Sequence, residues 1–365
     1  MSGSVYGKNF TVSTWGESHG KALGVVIDGC PAGIVLGESD IQRALDLRKP
    51  GSNAYSTKRK ESDICHIMSG TFNGITTGTP ISVIIYNEDH HSADYSNIKD
   101  IYRPGHADYT FQAKYGIRDY RGGGRSSARE TAARVAAGAV AAKILGELGI
   151  KITAYARAIG DIEIDYNNFD MDFIYKSPVR MPDKDASQKA EEFIKGCMEQ
   201  QDSCGGVIEC IISGVPAGIG EPVFDKLDAE LSKAILSVGA VKGIEFGSGF
   251  NAAKSTGSAN NDNFINDNGV IKKLTNNSGG ILGGISDGSD IVFRAAIKPT
   301  PSISKPQKTV DINGNETEII IKGRHDPIIV PRAVPVIEAM SAIAITDLMF
   351  SAMFSQMSKI KAFWL

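Results

Sequence analysis

The chain has 365 residues, 42% of them hydrophobic and 22% charged, enough for a substantial core in one large domain or two ordinary ones. A net charge of −3 and a pI near 6.1 give no bulk electrostatic reason to expect a nucleic-acid or acidic-membrane partner, so the arginines act locally. The cysteines, Cys30, Cys65, Cys197, Cys204 and Cys210, are odd in number and hold no C-x-x-C pair, which points away from disulfides and zinc and toward a reduced, cytoplasmic setting.

The N-terminus has no basic stretch followed by an apolar core, so no signal peptide is expected. A strand over Phe10–Trp15 runs into Gly16-Glu17-Ser18-His19-Gly20, where flanking glycines let the backbone bend and expose the imidazole. A second strand enters Pro31-Ala32-Gly33, and a helix follows over Ser39–Leu47 with Ser39 and Gln42 as its capping pair. Gly74-Ile75-Thr76-Thr77-Gly78-Thr79 then precedes a strand over Ile81–Tyr86. His66 reads as a strand residue, and His90 and His91 as a solvated loop.

The densest chemistry lies between Arg103 and Gly138. Arg103-Pro104-Gly105-His106-Ala107-Asp108 is a histidine turn. Gly122-Gly123-Gly124-Arg125-Ser126-Ser127 opens into a small-residue helix, Ser127–Leu148, with Ser127 and Glu130 as a capping box. On spacing alone two readings stand: an anion cradle at a helix N-terminus aided by Arg125, Arg129 and Arg134, or a glycine turn into a close-packed alanine helix with solvated arginines. The polar stretches Tyr166–Lys184 and Asn260–Ser278 read as loops or lids.

The first half is echoed by the second. Ile211-Ile212-Ser213-Gly214-Val215-Pro216-Ala217-Gly218-Ile219 repeats the strand into Pro-Ala-Gly. A helix follows over Asp225–Leu236, with Leu227, Leu231 and Ile235 on one face. Gly284-Ile285-Ser286-Asp287-Gly288-Ser289 then precedes a strand over Ile291–Ile297, and a helix from about Pro335 to Met357 closes the half. The longest apolar run, Ala333–Phe354, is interrupted by Glu338 and Asp347, so no membrane span is expected. Turn signals such as Asn313-Gly314 favour antiparallel pairing. The expected architecture is α+β: one domain over residues 1–365, with repeat halves of about 1–160 and 200–365 and a site where the halves meet.

Neither G-x-G-x-x-G after a strand nor G-x-x-x-x-G-K-[ST] occurs, and the histidines lack H-x-x-x-H spacing or clustered carboxylates, so no metal is expected. A third histidine turn, Gly323-Arg324-His325-Asp326-Pro327, completes a set that could supply general acids beside an anion pocket. A phosphotransferase, a non-catalytic flavin or sugar-phosphate binder and a flavin oxidoreductase are the rival classes.

Together, the Gly16–Gly20, Arg103–Asp108, Gly124–Thr131, Gly279–Ser286 and Gly323–Pro327 blocks resemble the chorismate synthase family over nearly the whole chain. The resemblance implies a β-α-β sandwich with internal pseudo-two-fold duplication, mainly antiparallel sheets around a helical layer, assembled as a homotetramer. It implies a lyase of the shikimate pathway that converts 5-enolpyruvylshikimate 3-phosphate to chorismate by anti 1,4-elimination of phosphate. The cofactor implied is reduced FMN, with NADPH as ultimate reductant through a separate reductase. By the same resemblance, His19 is the acid at the leaving phosphate, His106 sits against the flavin, and Asp326 assists proton removal through flavin N5. Arg48, Arg103, Arg129 and Arg324 bind substrate. Arg125, Ser126, Ser127, Gly239, Ala240, Gly283, Lys298, Pro299, Thr300, Pro301, Ser302 and Arg324 hold the cofactor. The chain departs from the family pattern at Ala54, where arginine is usual and Lys58 or Arg59 could compensate, and at Gly239, where asparagine is usual.

Overall fold

The computed structural model describes residues 3–51, 55, 61–88, 99–120, 123–321 and 326–365. Ten of its strands form two five-stranded antiparallel sheets. The first contains β1 (Val5–Tyr6), β2 (Thr11–Gly16), β3 (Ala22–Asp28), β4 (Cys65–Ile67) and β5 (Ile81–Tyr86), in the order β1-β2-β3-β5-β4. The second contains β6 (Lys151–Ile159), β7 (Ile162–Glu163), β8 (Gly206–Ser213), β9 (Val241–Phe246) and β10 (Ile291–Ile297), in the order β7-β6-β8-β10-β9. The two orders agree at one end, where the fifth strand of each half lies between the third and the fourth, and differ at the other, where the edge strand is β1 in the first sheet and β7 in the second.

The correspondence extends to single hydrogen bonds. In the first half the Thr76 hydroxyl donates to Pro31 O (2.7 Å) and accepts from Ile34 N (2.9 Å). In the second, the Ser286 hydroxyl donates to Pro216 O (2.6 Å) and accepts from Ile219 N (2.9 Å). Both hydroxyl residues are buried, so each satisfies backbone groups of a Pro-Ala-Gly turn that water does not reach.

Four helices fill the space between the sheets: α1 (Glu38–Arg48), α2 (Thr131–Glu147), α3 (Leu227–Leu236) and α4 (Val330–Ala352). The sheets present alternate residues to them. In β5, Ile81, Val83 and Ile85 are wholly buried, whereas Ser82, Ile84 and Tyr86 are not. The helices α2 and α4 cross so closely at Gly138 that a Cβ there would lie 2.3 Å from the Ala339 Cβ. Alanine-rich sequence therefore serves close helix packing, as the plainer expectation has it, but Arg129 is buried and ion-paired where that expectation has solvated arginines.

The helix α4 is long and apolar enough to cross a membrane, but 83% of its apolar window is buried in the protein interior. The two carboxylates that interrupt it tie it to both sheets. Asp347 accepts from the backbone N–H groups of Lys8, Asn9 and Phe10 in the first half. Glu338 accepts from Ala154 N on β6 (2.9 Å) and from the Tyr175 hydroxyl, and burial pushes its carboxyl up to about 7.

Several local expectations are corrected. Gly37, not Ser39, is the N-cap of α1: the Asp40 carboxylate accepts from Gly37 N, while Gln42 bonds to Asp46 and Cys65 N. Ser127 accepts from Arg129 N to open a 3₁₀ turn, Ala128–Glu130, ahead of α2. The Glu130 carboxylate turns to Arg134 instead of completing a capping box. Arg134 also donates to Ser237 at the end of α3, so it links two helices. The last long helix starts at Val330, five residues early because Pro331 fits a first helical turn, and ends at Ala352; Met357–Trp364 is a separate helix. Segment 166–184 is no lid, since Ile174, Val179 and Met181 are wholly buried. Segment 260–278 contains a β-hairpin, Phe264–Asp267 with Val270–Lys273, closed by a turn with Asn268 and Gly269 at positive φ.

Gly138→Ala sets two effects against each other. Helix propensity favours alanine by up to about 1 kcal/mol, while overpacking costs about 1–3 kcal/mol. Because the nearest atoms include the Ala339 backbone, which cannot rotate away, we expect net destabilisation, read as a lower urea midpoint at unchanged m-value.

Candidate active site

The candidate residues collect where strands of both sheets end. The turn Gly16–Gly20 joins β2 to β3, and Asn87 follows β5 directly beside it. The Asn87 side-chain amide donates to Glu17 O (3.0 Å) and Gly20 O (2.8 Å), which brackets His19 between two fixed carbonyls. The Asn87 Oδ1 accepts from Arg129 Nε at 2.9 Å.

Arg129 belongs to a buried network. Its guanidinium pairs with Asp63 and, at 3.4 Å, with Glu61. Asp63 also takes Arg48 Nη2 at 2.5 Å, and Arg48 Nη1 reaches Thr131 Oγ1 at 3.3 Å. Burial would raise the Asp63 carboxyl, but Arg48 and Arg129 outweigh it and hold it below the usual carboxylate range. Burial, with Arg332 and Arg129 adding like charge, pulls the Arg48 guanidinium down to about 10 against the opposing Asp63. Arg332 donates to Arg48 O and to Asp326 Oδ2 (2.7 Å), so Asp326 reaches the same network. Arg48 is 1% exposed.

The second histidine turn is held by carboxylate and guanidinium as well. Arg103 grips Asp108 with two nitrogens, Nε–Oδ2 at 2.8 Å and Nη2–Oδ1 at 2.7 Å. Arg118 adds a contact to Asp108 at 3.1 Å. His106 Nδ1 lies 3.0 Å from Asp108 Oδ1, an arrangement that fixes the ring and directs Nε2 away from the turn. Burial would raise the Asp108 carboxyl; hydrogen bonds from Arg103 and His106 instead hold it far below the ordinary range.

The cofactor candidates surround this turn. Gly123, at φ +98°, faces the imidazole: a Cβ there would meet His106 Cε1 at 3.0 Å. Ser126 donates to Gly123 O, and Arg125 reaches back to Gly16 O (3.1 Å) and Thr14, tying this loop to the His19 turn. From the other half, Lys298 Nζ donates to Gly105 O at 2.6 Å, and Pro301 packs on Gly105. Lys298 N donates to Ala240 O, which places Gly239 and Ala240 beside it. Ser203 donates to Thr300 O, and Ser302 is buried. Burial and Lys242 lower the Lys298 ammonium from its ordinary value. A cavity of about 300 Å³ is bordered by Glu17, Asp108, Arg118, Gly123, Arg125 and Ser126.

Gly283 stands apart: it lies at the tip of the hairpin Ile281–Leu282 with Ile285–Ser286, and no contact among the described residues ties it to the His106 turn. Arg324, with His325 and Gly323, lies outside the described residues, as do Ala54, Lys58, Arg59, His90, His91 and Gly122. Sequence reasoning passed over Asn87, Glu61, Asp63, Arg118 and Arg332. Only Asn87 carried a signal, as a polar residue ending an alternating strand.

The buried network predicts an acid response. Groups with depressed folded pKa values contribute stability above the unfolded carboxylate range, and lose it as pH falls through that range toward the folded values. Asp63→Asn removes the counter-ion of two buried guanidiniums, so at neutral pH it should cost about 3–5 kcal/mol. Its denaturation midpoint should also depend less on pH between about 5 and 3 than that of the unaltered chain.

Comparison with known proteins identifies the family. A family model described as chorismate synthase matches residues 10–350. The chain is 64% identical to chorismate synthase of Lachnoclostridium phytofermentans over 99% of both chains. It is 61% identical to that of Lachnospira eligens over 100% of both. Against that of Methanosarcina mazei identity is 52%, over 97% of this chain and 98% of the relative. A solved structure, "Crystal Structure of Chorismate Synthase", superposes with a TM-score of 0.77 at 31% identity, covering 98% of this chain and 97% of the other. The chain belongs to the chorismate synthase family, and is accordingly a carbon–oxygen lyase acting on a small-molecule substrate.

Proposed function

We propose that the substrate is 5-enolpyruvylshikimate 3-phosphate, converted to chorismate and phosphate by anti 1,4-elimination in the cleft bordered by the His19 and His106 turns. The observation that carries this reading is convergence: Asn87 and Arg125 lead from the His19 turn to Arg129 and to the Gly123–Ser126 loop, and Gly123 faces His106. A substrate with a phosphate and two carboxylates needs several cations. Arg103 and Arg129 are held in place by carboxylates, and Arg324 lies on the chain segment before Asp326.

His19 is the proton donor to the departing phosphate, because its turn is fixed at two carbonyls and the leaving oxygen gains charge as the bond breaks. His106 acts at the cofactor, with Nδ1 occupied at Asp108 and Nε2 turned to the Gly123 side. Asp326, oriented by Arg332, serves the proton lost from the ring.

The residues suit reduced FMN. The Thr300 hydroxyl is buried with no hydrogen-bond partner among the described residues, in the same turn as Lys298. An unsatisfied buried hydroxyl costs about 1–3 kcal/mol, which a bound polar group would relieve. Arg125, Ser126, Ser127, Gly239, Ala240 and Lys298–Ser302 would hold the cofactor, with Arg324; Gly283 joins them only by resemblance. When bound, reduced FMN supplies electron density to the substrate ring and recovers it, so no net reductant is consumed. NADPH is the ultimate reductant, through a separate reductase. The chain is read as one cytoplasmic domain of two repeat halves, assembled as a homotetramer; the shared arrangement of the third, fifth and fourth strands and the paired Thr76 and Ser286 hydrogen bonds support the repeat.

Anaerobic incubation of the purified protein with the substrate and chemically reduced FMN should release chorismate and phosphate in equal amounts, with flavin needed only catalytically. His19→Ala and His106→Ala should each lower turnover by about 10²–10⁴-fold while FMN still binds. Turnover that survives both substitutions, or stoichiometric use of reductant as in a flavin oxidoreductase, would overturn the assignment.

A further inference from the structure

We infer that Asn87 is a positioning residue, which sets the His19 turn and Arg129 in one register through a single side-chain amide. The inference rests on the proposed role of His19 as the acid.

Three of the four hydrogen-bonding capacities of this amide are used, including both donors. Both N–H donors go to carbonyls of the His19 turn, Glu17 O at 3.0 Å and Gly20 O at 2.8 Å, while Oδ1 takes Arg129 Nε at 2.9 Å. The backbone N of Asn87 donates to Lys21 O at 3.1 Å, so the residue is pinned on the main chain too. Asn87 is 8% exposed, and water competes poorly for those partners. No other side chain of this size offers two donors and an acceptor in this geometry. Aspartate has no donor, and serine has one.

Position within the fold makes the same point. Asn87 is the first residue after β5, and Lys298 is the first after β10, the strand that occupies the same place in the second sheet. Lys298 donates to Gly105 O, in the turn of His106. Each half thus places, just past one equivalent strand end, a side chain that holds a histidine turn by its carbonyls. Sheet hydrogen bonding fixes those strand ends, so the turns inherit the rigidity of the core.

Two variants separate the arms of the amide. Asn87→Asp keeps an acceptor for Arg129 but removes both donors to the turn, so kcat should fall roughly tenfold to a hundredfold with KM near that of the unaltered enzyme. Asn87→Ala removes both arms, so kcat should fall similarly and KM should also rise. The decisive measurement is a double-mutant cycle with His19→Ala. Once the imidazole is gone, Asn87→Asp should change the residual kcat by less than about twofold, since the turn has no acid left to position.

The cycle is repeated with Asn87→Ser, which introduces no buried charge, and thermal melting and FMN binding are recorded for every variant. The same coupling is expected. Equal loss of kcat in both backgrounds for both substitutions means that Asn87 serves the fold alone, and overturns the inference; unchanged kcat in the single variants does so too. If His19→Ala by itself leaves kcat intact, the acid assignment fails instead, a result that the cycle distinguishes from the first.

Discussion

Asp63 has no exposed surface, and its two oxygens meet two guanidinium groups from different helices. Arg48 ends α1, and Arg129 sits in the turn that opens α2, so this carboxylate joins two helices of the central layer. A buried ion pair of this kind adds little net stability relative to apolar packing. Its consequence is geometric: with neither partner able to leave without stranding the other, Arg129 has one orientation available. That orientation presents Nε to Asn87, and Asn87 in turn fixes the carbonyls on either side of His19. The reach of the network to Asp326 through Arg332 gives the third candidate group the same anchor.

Electroneutrality follows from the same arrangement. Arg48 and Arg129 are balanced by Asp63 and Glu61, and Arg332 by Asp326, whereas Arg103 and Arg118 share Asp108. Lys298 adjoins the His106 turn from the other half, and Glu17 and Asp119 line the same cavity as Asp108, Arg118 and Arg125. Keeping most guanidiniums paired also limits like-charge repulsion among them.

Internal repetition accounts for where the site lies. Because β5 lies between β3 and β4 as β10 lies between β8 and β9, the ends of β5 and β10 are equivalent places, and each is followed at once by a residue that grips a turn. The chemistry is not repeated with the scaffold. The first half supplies an amide and the second an ammonium, so one arrangement of backbone presents two differently furnished sides to the cleft. The helices α2 and α4, packed at Gly138 and Ala339, hold the halves at a fixed separation.

The residues alone were enough to read the Pro-Ala-Gly echoes, the strands Ile81–Tyr86 and Ile291–Ile297 and the apolar face of α3. These are local properties: alternation, helical spacing and glycine turns are set by backbone sterics and by which side chains avoid water. Tertiary structure decided the rest. Glu130 could cap its own helix or pair with Arg134, which Ser237 after α3 also holds, and Asp40 could be any solvated acid on α1 but pairs with Lys143 of α2; the choice rests on contacts between elements. The buried apolar residues of segment 166–184 are hidden in a polar composition, and only their packing on the core removes the lid reading. Asn87, Asp63 and Arg332 become meaningful only when 42, 66 and 284 positions of chain separation are closed by folding, because hydrogen bonds depend on distance in space and leave no periodic trace along the sequence.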